Sequence, residues 1–185
     1  MKIIITTCRR PSRRLRSFVK DLVRVLPGSI RITRGKQSLE DLASLALSLD
    51  ANLVIIVDAL KGNPGRLRFV KVSRYSYELV PFKVIISGVK LIREIPLSDI
   101  PTEVRSEVIA TYEGASDKVN VLCEKLADLL NFPYIEVKSL NELKGAADII
   151  MWIVPSRRDL ARIEFVNGRS SNIAGPIIRV KKVIT

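Results

Sequence analysis

Apolar residues recur at Leu15, Phe18, Val19, Leu22, Val23 and Leu26, the i, i+3, i+4 spacing that places one buried stripe on a helix. The same stripe returns 104 positions later, from 15 to 119, as Val119, Leu122, Cys123, Leu126, Ala127 and Leu130. Ser12 and Ser116 precede the two runs, each where a hydroxyl can accept an orphan backbone N–H of the first helical turn. Shared register over six positions predicts two copies of one supersecondary unit.

The flanking segments extend the parallel. In the first copy a strand over 3–6 leads into the helix, a short strand follows at 30–33, and a second helix starts after Ser38, with Asp41 completing a variant capping box. A continuous apolar run at 53–57 predicts a buried strand, followed by a turn through Gly62, Asn63, Pro64 and Gly65 and a strand at 67–72. The second copy offers strands at 108–112 and 134–137, a short helix after Ser139, and strands at 149–154 and 163–166. Two more strands are expected at 82–87 and 177–183. Strands alternating with helices predict parallel pairing in each half, and the trailing hairpin strands make each sheet mixed. The expected fold class is therefore α/β: one domain over 1–185, built of pseudo-repeated halves at 1–95 and 106–185. A linker at about 88–105, punctuated by Pro96 and Pro101, joins them.

With 47% apolar and 27% charged residues, the chain has the makings of an ordinary packed core. No apolar run approaches the roughly 20 residues needed to span a bilayer, and charges follow the short stretch 3–5 at once. The expectation is a soluble cytoplasmic protein without a membrane partner. There is no histidine, and Cys8 and Cys123 are far apart. Histidine-based acid/base chemistry is excluded, and a zinc site would need improvised ligands. Gly28 and Gly35-Lys36 are too widely spaced for a phosphate-binding Walker loop, and Gln37 stands where Ser or Thr is needed. No metal or cofactor is expected. Cys123 takes the place of Val19 in the repeat and reads as core. Tyr75 and Tyr77 read as packing residues rather than base-stacking ones.

Charge separates the halves. Residues 1–96 hold 19 Lys and Arg against 7 Asp and Glu, whereas 97–185 hold 12 against 12, so the whole net charge of +12 lies in the first half. Arg9, Arg10, Arg13, Arg14 and Arg16 crowd the turn into the first helix. A helix amino terminus is already electropositive, and each misplaced cation there costs about 0.3–1 kcal/mol. Such crowding predicts a bound anion, for which helix termini and arginine forks are suited. Lys20 extends the same helix face, Arg31, Arg34 and Lys36 cluster about the second strand, and Lys61 and Arg66 bracket the following turn. If the strands are parallel, the ends carrying Arg9 and Arg34 share one sheet edge. The matching face of the second helix carries Asp117, Asn120, Glu124 and Asp128, which would repel a polyanion.

The stretch Thr6-Thr7-Cys8-Arg9-Arg10-Pro11-Ser12, then Arg14, Phe18, Asp21-Leu22 and Pro27-Gly28, resembles the opening of Brix-domain proteins. The likeness continues through Arg34-Gly35, the apolar strand before Asp58, and Lys61-Gly62-Asn63-Pro64, covering roughly the first 70 residues. Cys8 stands where Ser is usual, Thr33 where Asn is common, and Gly65 where Asp often follows the proline. The compact length is similar to the archaeal branch. The resemblance implies a role in ribosome biogenesis through binding of ribosomal or guide-type RNA, with other ribosome-assembly proteins as further partners. It also implies two halves that each resemble the anticodon-binding domain of class IIa aminoacyl-tRNA synthetases. The expected function is a non-enzymatic, RNA-binding one. An enzyme acting on a phosphorylated or nucleic-acid substrate and a module for an acidic protein partner stand as alternatives.

Overall fold

Ile3, Ile4 and Ile5 are wholly buried in strand β1 (Lys2–Thr7), because a strand covered on both faces has no solvent side to alternate towards. In the computed structural model, which describes residues 1–185, the chain continues through α1 (Arg13–Val25), β2 (Ser29–Arg31), α2 (Leu39–Ser48), β3 (Ala51–Leu60), β4 (Asn63–Val72) and β5 (Tyr77–Lys90). A 3₁₀ turn at Ile92–Glu94 leads to β6 (Glu107–Tyr112), α3 (Asp117–Leu130) and β7 (Tyr134–Val137). A second 3₁₀ turn at Leu140–Leu143 precedes β8 (Ile149–Pro155), β9 (Ala161–Asn167) and β10 (Ile173–Ile184). The short helix expected after Ser139 is this 3₁₀ turn.

All ten strands join one mixed sheet in the order β2-β1-β3-β4-β5-β10-β9-β8-β6-β7. The two expected sheets are thus one, fused where β5 and β10 pair antiparallel from Lys83 with Ile184 to Lys90 with Ile177. β1 lies parallel between β2 and β3, and β6 lies parallel between β7 and β8. From one edge the order reads β2-β1-β3-β4-β5, and from the other β7-β6-β8-β9-β10.

Several boundaries differ from expectation because backbone pairing outlasts the apolar pattern. β5 and β10 run well beyond 82–87 and 177–183, and Gly88, Val89 and Lys90, read as linker, are ladder residues of β5. The segment beyond is tied down: the Asp21 carboxylate accepts the Ile92 N–H at 2.9 Å, and Leu91 is fully buried. The turn expected over Gly62 to Gly65 is tighter. Lys61 and Gly62 alone reverse the chain, with φ of 49° and 78°, as a two-residue hairpin of primed type requires.

The caps follow the sequence in part. Ser12 accepts the Leu15 N–H at 3.1 Å and donates its hydroxyl proton to Gly62 O at 2.5 Å, so the start of α1 is fastened to the β3–β4 turn. Ser38 and Asp41 form the reciprocal box on α2. Ser116 makes no side-chain cap bond.

One sheet face packs against α1 and α3 through Leu15, Phe18, Leu122, Cys123 and the facing Ile5, Ile55, Phe69 and Phe165. At Gly175 the helix and sheet meet so closely that a Cβ would sit 2.6 Å from Phe165 Cβ and 2.9 Å from Val25 Cγ1. The other face is covered only at its ends. α2 lies over Ile4, Val54, Ile56 and Val70, and Leu140 and Leu143 of the second 3₁₀ turn pack with Val108, Ile150 and Trp152.

Glu107 opens β6 and is 4% exposed, and neither of its carboxylate oxygens has a hydrogen-bond partner. Burial pushes its carboxyl well above the usual carboxylate range, which favours the protonated form in the fold. The unfolded chain ionises it above about pH 4.3, so folded stability falls as pH rises from there towards the raised folded value. Glu107→Gln should abolish that slope and leave the variant the more stable at pH 7. Thermal melts of both proteins at pH 5 and 7.5 would measure it, and parallel pH profiles would refute it.

Candidate functional site

Because β1 and β2 are parallel, their carboxyl ends open on one edge, and α1 begins at that edge. Arg9 and Arg34 lie there together, as the parallel arrangement requires. Thr7, Arg9, Arg16, Arg31, Thr33 and Arg34 help to line a cleft of about 160 Å³ between α1 and the two strand ends. Arg9, Arg10, Arg13, Arg16, Lys20, Arg31, Lys36 and Lys61 are exposed, and none has an ion-pair partner within the chain. The first turn of α1 holds no acidic residue.

Arg34 differs from its neighbours. It is only 7% exposed, and its Nε donates to Gln37 O at 3.2 Å, while its terminal nitrogens bond nothing in the chain. Burial lowers its pKa, and the Arg68 and Arg9 charges push the same way. The terminal nitrogens are not themselves buried: they reach solvent in the cleft, with their donors open to an anion.

Two of the sequence-derived cations are paired with carboxylates of the chain. Arg14 turns back on the connection after β5, giving Nη1 to Glu94 Oε1 at 2.5 Å, and Nη2 to Glu94 Oε2 and Val89 O, each at 2.9 Å. This pairing holds the Glu94 carboxyl below its usual range. Arg66 joins Arg68 on Asp58, at 2.8 and 2.7 Å. A helix-start cation that looked misplaced in sequence is thus compensated at Arg14 by a carboxylate 80 positions away.

Tyr75 is not packed, contrary to expectation, whereas Tyr77 is a sheet residue paired with Val72. Tyr75 is 90% exposed at the β4–β5 turn, with the Arg74 guanidinium 6.0 Å from its ring centroid, and Tyr77 is 45% exposed. Ser73 and Ser76 close this turn on itself by hydrogen bonds between them. Arg68, Lys83, Arg179 and Lys182, which were not among the site residues expected from sequence, lie on the central strands. The signal was present in the alternation Arg66-Leu67-Arg68-Phe69 and Ile178-Arg179-Val180, which marks strands with one open face.

No group of three or more His, Cys, Asp or Glu side chains is placed to hold a metal ion, and no helix is long and apolar enough to cross a membrane. No family model matches the chain. The fold is nevertheless that of an archaeal ribosomal-biogenesis type of α/β protein. The crystal structure of a probable ribosomal biogenesis protein from Aeropyrum pernix superposes with a TM-score of 0.82 at 28% identity, covering 98% of this chain and 96% of that one. Mil, an archaeal Imp4-like protein, shares the fold with a TM-score of 0.66 at 20% identity, covering 98% and 99%.

Sequence relatives make the assignment specific. Probable Brix domain-containing ribosomal biogenesis proteins of Sulfurisphaera tokodaii and Thermococcus kodakarensis are 36% and 32% identical over 97% of this chain, covering 91% and 89% of theirs. The chain belongs to the Brix domain-containing ribosomal biogenesis proteins. None of these names describes an enzyme.

Proposed function

We propose that this protein is a non-enzymatic RNA-binding factor of ribosome assembly, acting in the cytoplasm, that grips the RNA phosphate backbone through its basic amino-terminal edge. One observation carries the reading: Arg34, 7% exposed and with unfilled terminal nitrogens, is surrounded by the unpaired Arg9, Arg16 and Arg31. Cations gathered in this way repel one another, and a phosphate seated among them relieves that repulsion and fills the guanidinium forks. The amino terminus of α1 adds its field in the same direction. Ribosomal or guide-type RNA fits this chemistry, and other assembly proteins are further partners.

On the same reading, 1–95 and 106–185 are copies of one unit joined by the segment that follows β5, each built like the anticodon-binding domain of class IIa aminoacyl-tRNA synthetases. The matching strand order read from the two sheet edges supports it.

Ultraviolet crosslinking in native extract, followed by sequencing of the bound RNA, should recover ribosomal precursor or guide-type RNA. The crosslinked peptides should come from 8–16 and 31–36. Capture of protein alone, resistant to ribonuclease, would instead identify a module for an acidic partner. Steady turnover of RNA or nucleotide by the purified chain would identify an enzyme.

A further inference from the structure

We propose that the uncovered centre of the sheet is a second RNA-backbone surface, which carries the nucleic acid from the amino-terminal edge across β5 and β10 into the second half. It rests on the RNA-binding reading above and extends its footprint to residues of the half with no net charge.

Central strands of a sheet are usually its most covered, yet here the face opposite α1 and α3 lies bare between α2 and the second 3₁₀ turn. Register fixes which side chains occupy it. Arg66 stands beside Ile85, and Ile85 beside Lys182; Arg68 stands beside Lys83; Arg179 stands beside Arg162. Their chain neighbours Leu67, Phe69, Val84, Ile178, Val180 and Ile163 point to the core on the other face. The strip therefore carries six cations against two carboxylates, Asp58 and Glu164. Asp58 engages Arg66 and Arg68, and Glu164 engages Arg162 at 2.7 Å. Lys83, Arg179 and Lys182 are left without an ion-pair partner.

The strip is continuous with the edge site. Arg34 feels the charges of Arg68 and Asp58, and Lys61 shares a shallow cleft with Arg179 above the β3–β4 turn. Gly88 makes room for this: any side chain there would overlap the Arg179 guanidinium. From β4 to β9 the floor spans roughly 14 Å at the usual strand spacing, room for a polynucleotide backbone rather than one small anion. An acidic peptide is the weaker fit. A peptide cannot add here as a further strand, because β4, β5, β10 and β9 are each paired on both sides, so it would have only side-chain charge to hold it.

The test compares the full chain with two variants, using a fluorescein-labelled RNA hairpin with single-stranded flanks as the probe. Lys83→Gln, Arg179→Gln and Lys182→Gln together leave the Asp58 and Glu164 pairs intact. They should weaken binding at least about tenfold and lower the salt slope by about two units, at roughly 0.7–0.9 per lost phosphate contact. The charge-retaining set Lys83→Arg, Arg179→Lys and Lys182→Arg should restore most of the affinity, which separates a charge effect from misfolding. If the glutamine set binds like the wild type while substitution of Arg9, Arg16 and Arg31 abolishes binding, the strip proposal fails and the edge site stands. If the wild type does not bind at low ionic strength, both fail. Loss of poly-glutamate binding with RNA binding intact would also overturn the proposal, in favour of an acidic protein.

Discussion

Replacing Arg9, Arg16 and Arg31 together by glutamine should weaken binding of structured RNA at 0.1 M salt by about a hundredfold or more. The slope of log affinity against log salt should become shallower by about two to three units. Each of these side chains is exposed and unpaired, so losing it removes a counterion-releasing contact without breaking anything in the fold. The melting temperature should not fall. Arg14→Gln is the informative contrast. Its guanidinium is committed to Glu94 and Val89, so its loss should lower thermal stability and leave the salt slope unchanged. Salt titrations monitored by anisotropy, with melts of the same samples, would separate the two. A slope that responds to Arg14 and not to the other three would refute the assignment.

Asp58→Ala should cost about 2–3 kcal/mol of stability at neutral pH. Truncating one partner of a buried pair costs about 3–5 kcal/mol, and the figure is discounted here because Arg66 keeps 43% of its side chain in solvent. For a chain of this size the loss corresponds to roughly 4–12 °C in melting temperature. Burial alone would raise the Asp58 carboxyl, but hydrogen bonds and charge from Arg68 and Arg66 outweigh it and hold the group below its usual range. A depressed carboxyl contributes stability above its unfolded value of about 3.9 and loses it as pH falls through the folded one. The gap between wild type and variant should therefore narrow below about pH 4. RNA affinity should hold or rise, since the variant deletes a negative charge from a cationic surface. Denaturant unfolding at pH 7 and pH 3 would measure the gap, and a constant gap would show that the carboxylate charge is not its source.

Much of the architecture is written in local pattern. The six-position stripe of α1 and its echo in α3, the buried runs of β1, β3 and β8, and the Ser38–Asp41 box all follow from periodicity and capping chemistry, which act within a few residues. The gathering of Arg9 and Arg34 was legible as well, because parallel strands bring their carboxyl ends to one edge whatever the distance between them in sequence.

What the tertiary structure decided is which charges are free. Arg14 and Arg13 are adjacent and alike in sequence, yet one meets Glu94 across 80 positions and the other meets water. Likewise, a tally of residues 97–185 finds no net charge, although β10 lays Arg179 and Lys182 beside the strands of the first half. Helical and strand periods are local properties of the chain, whereas pairing between charges depends on distances that only the finished sheet sets.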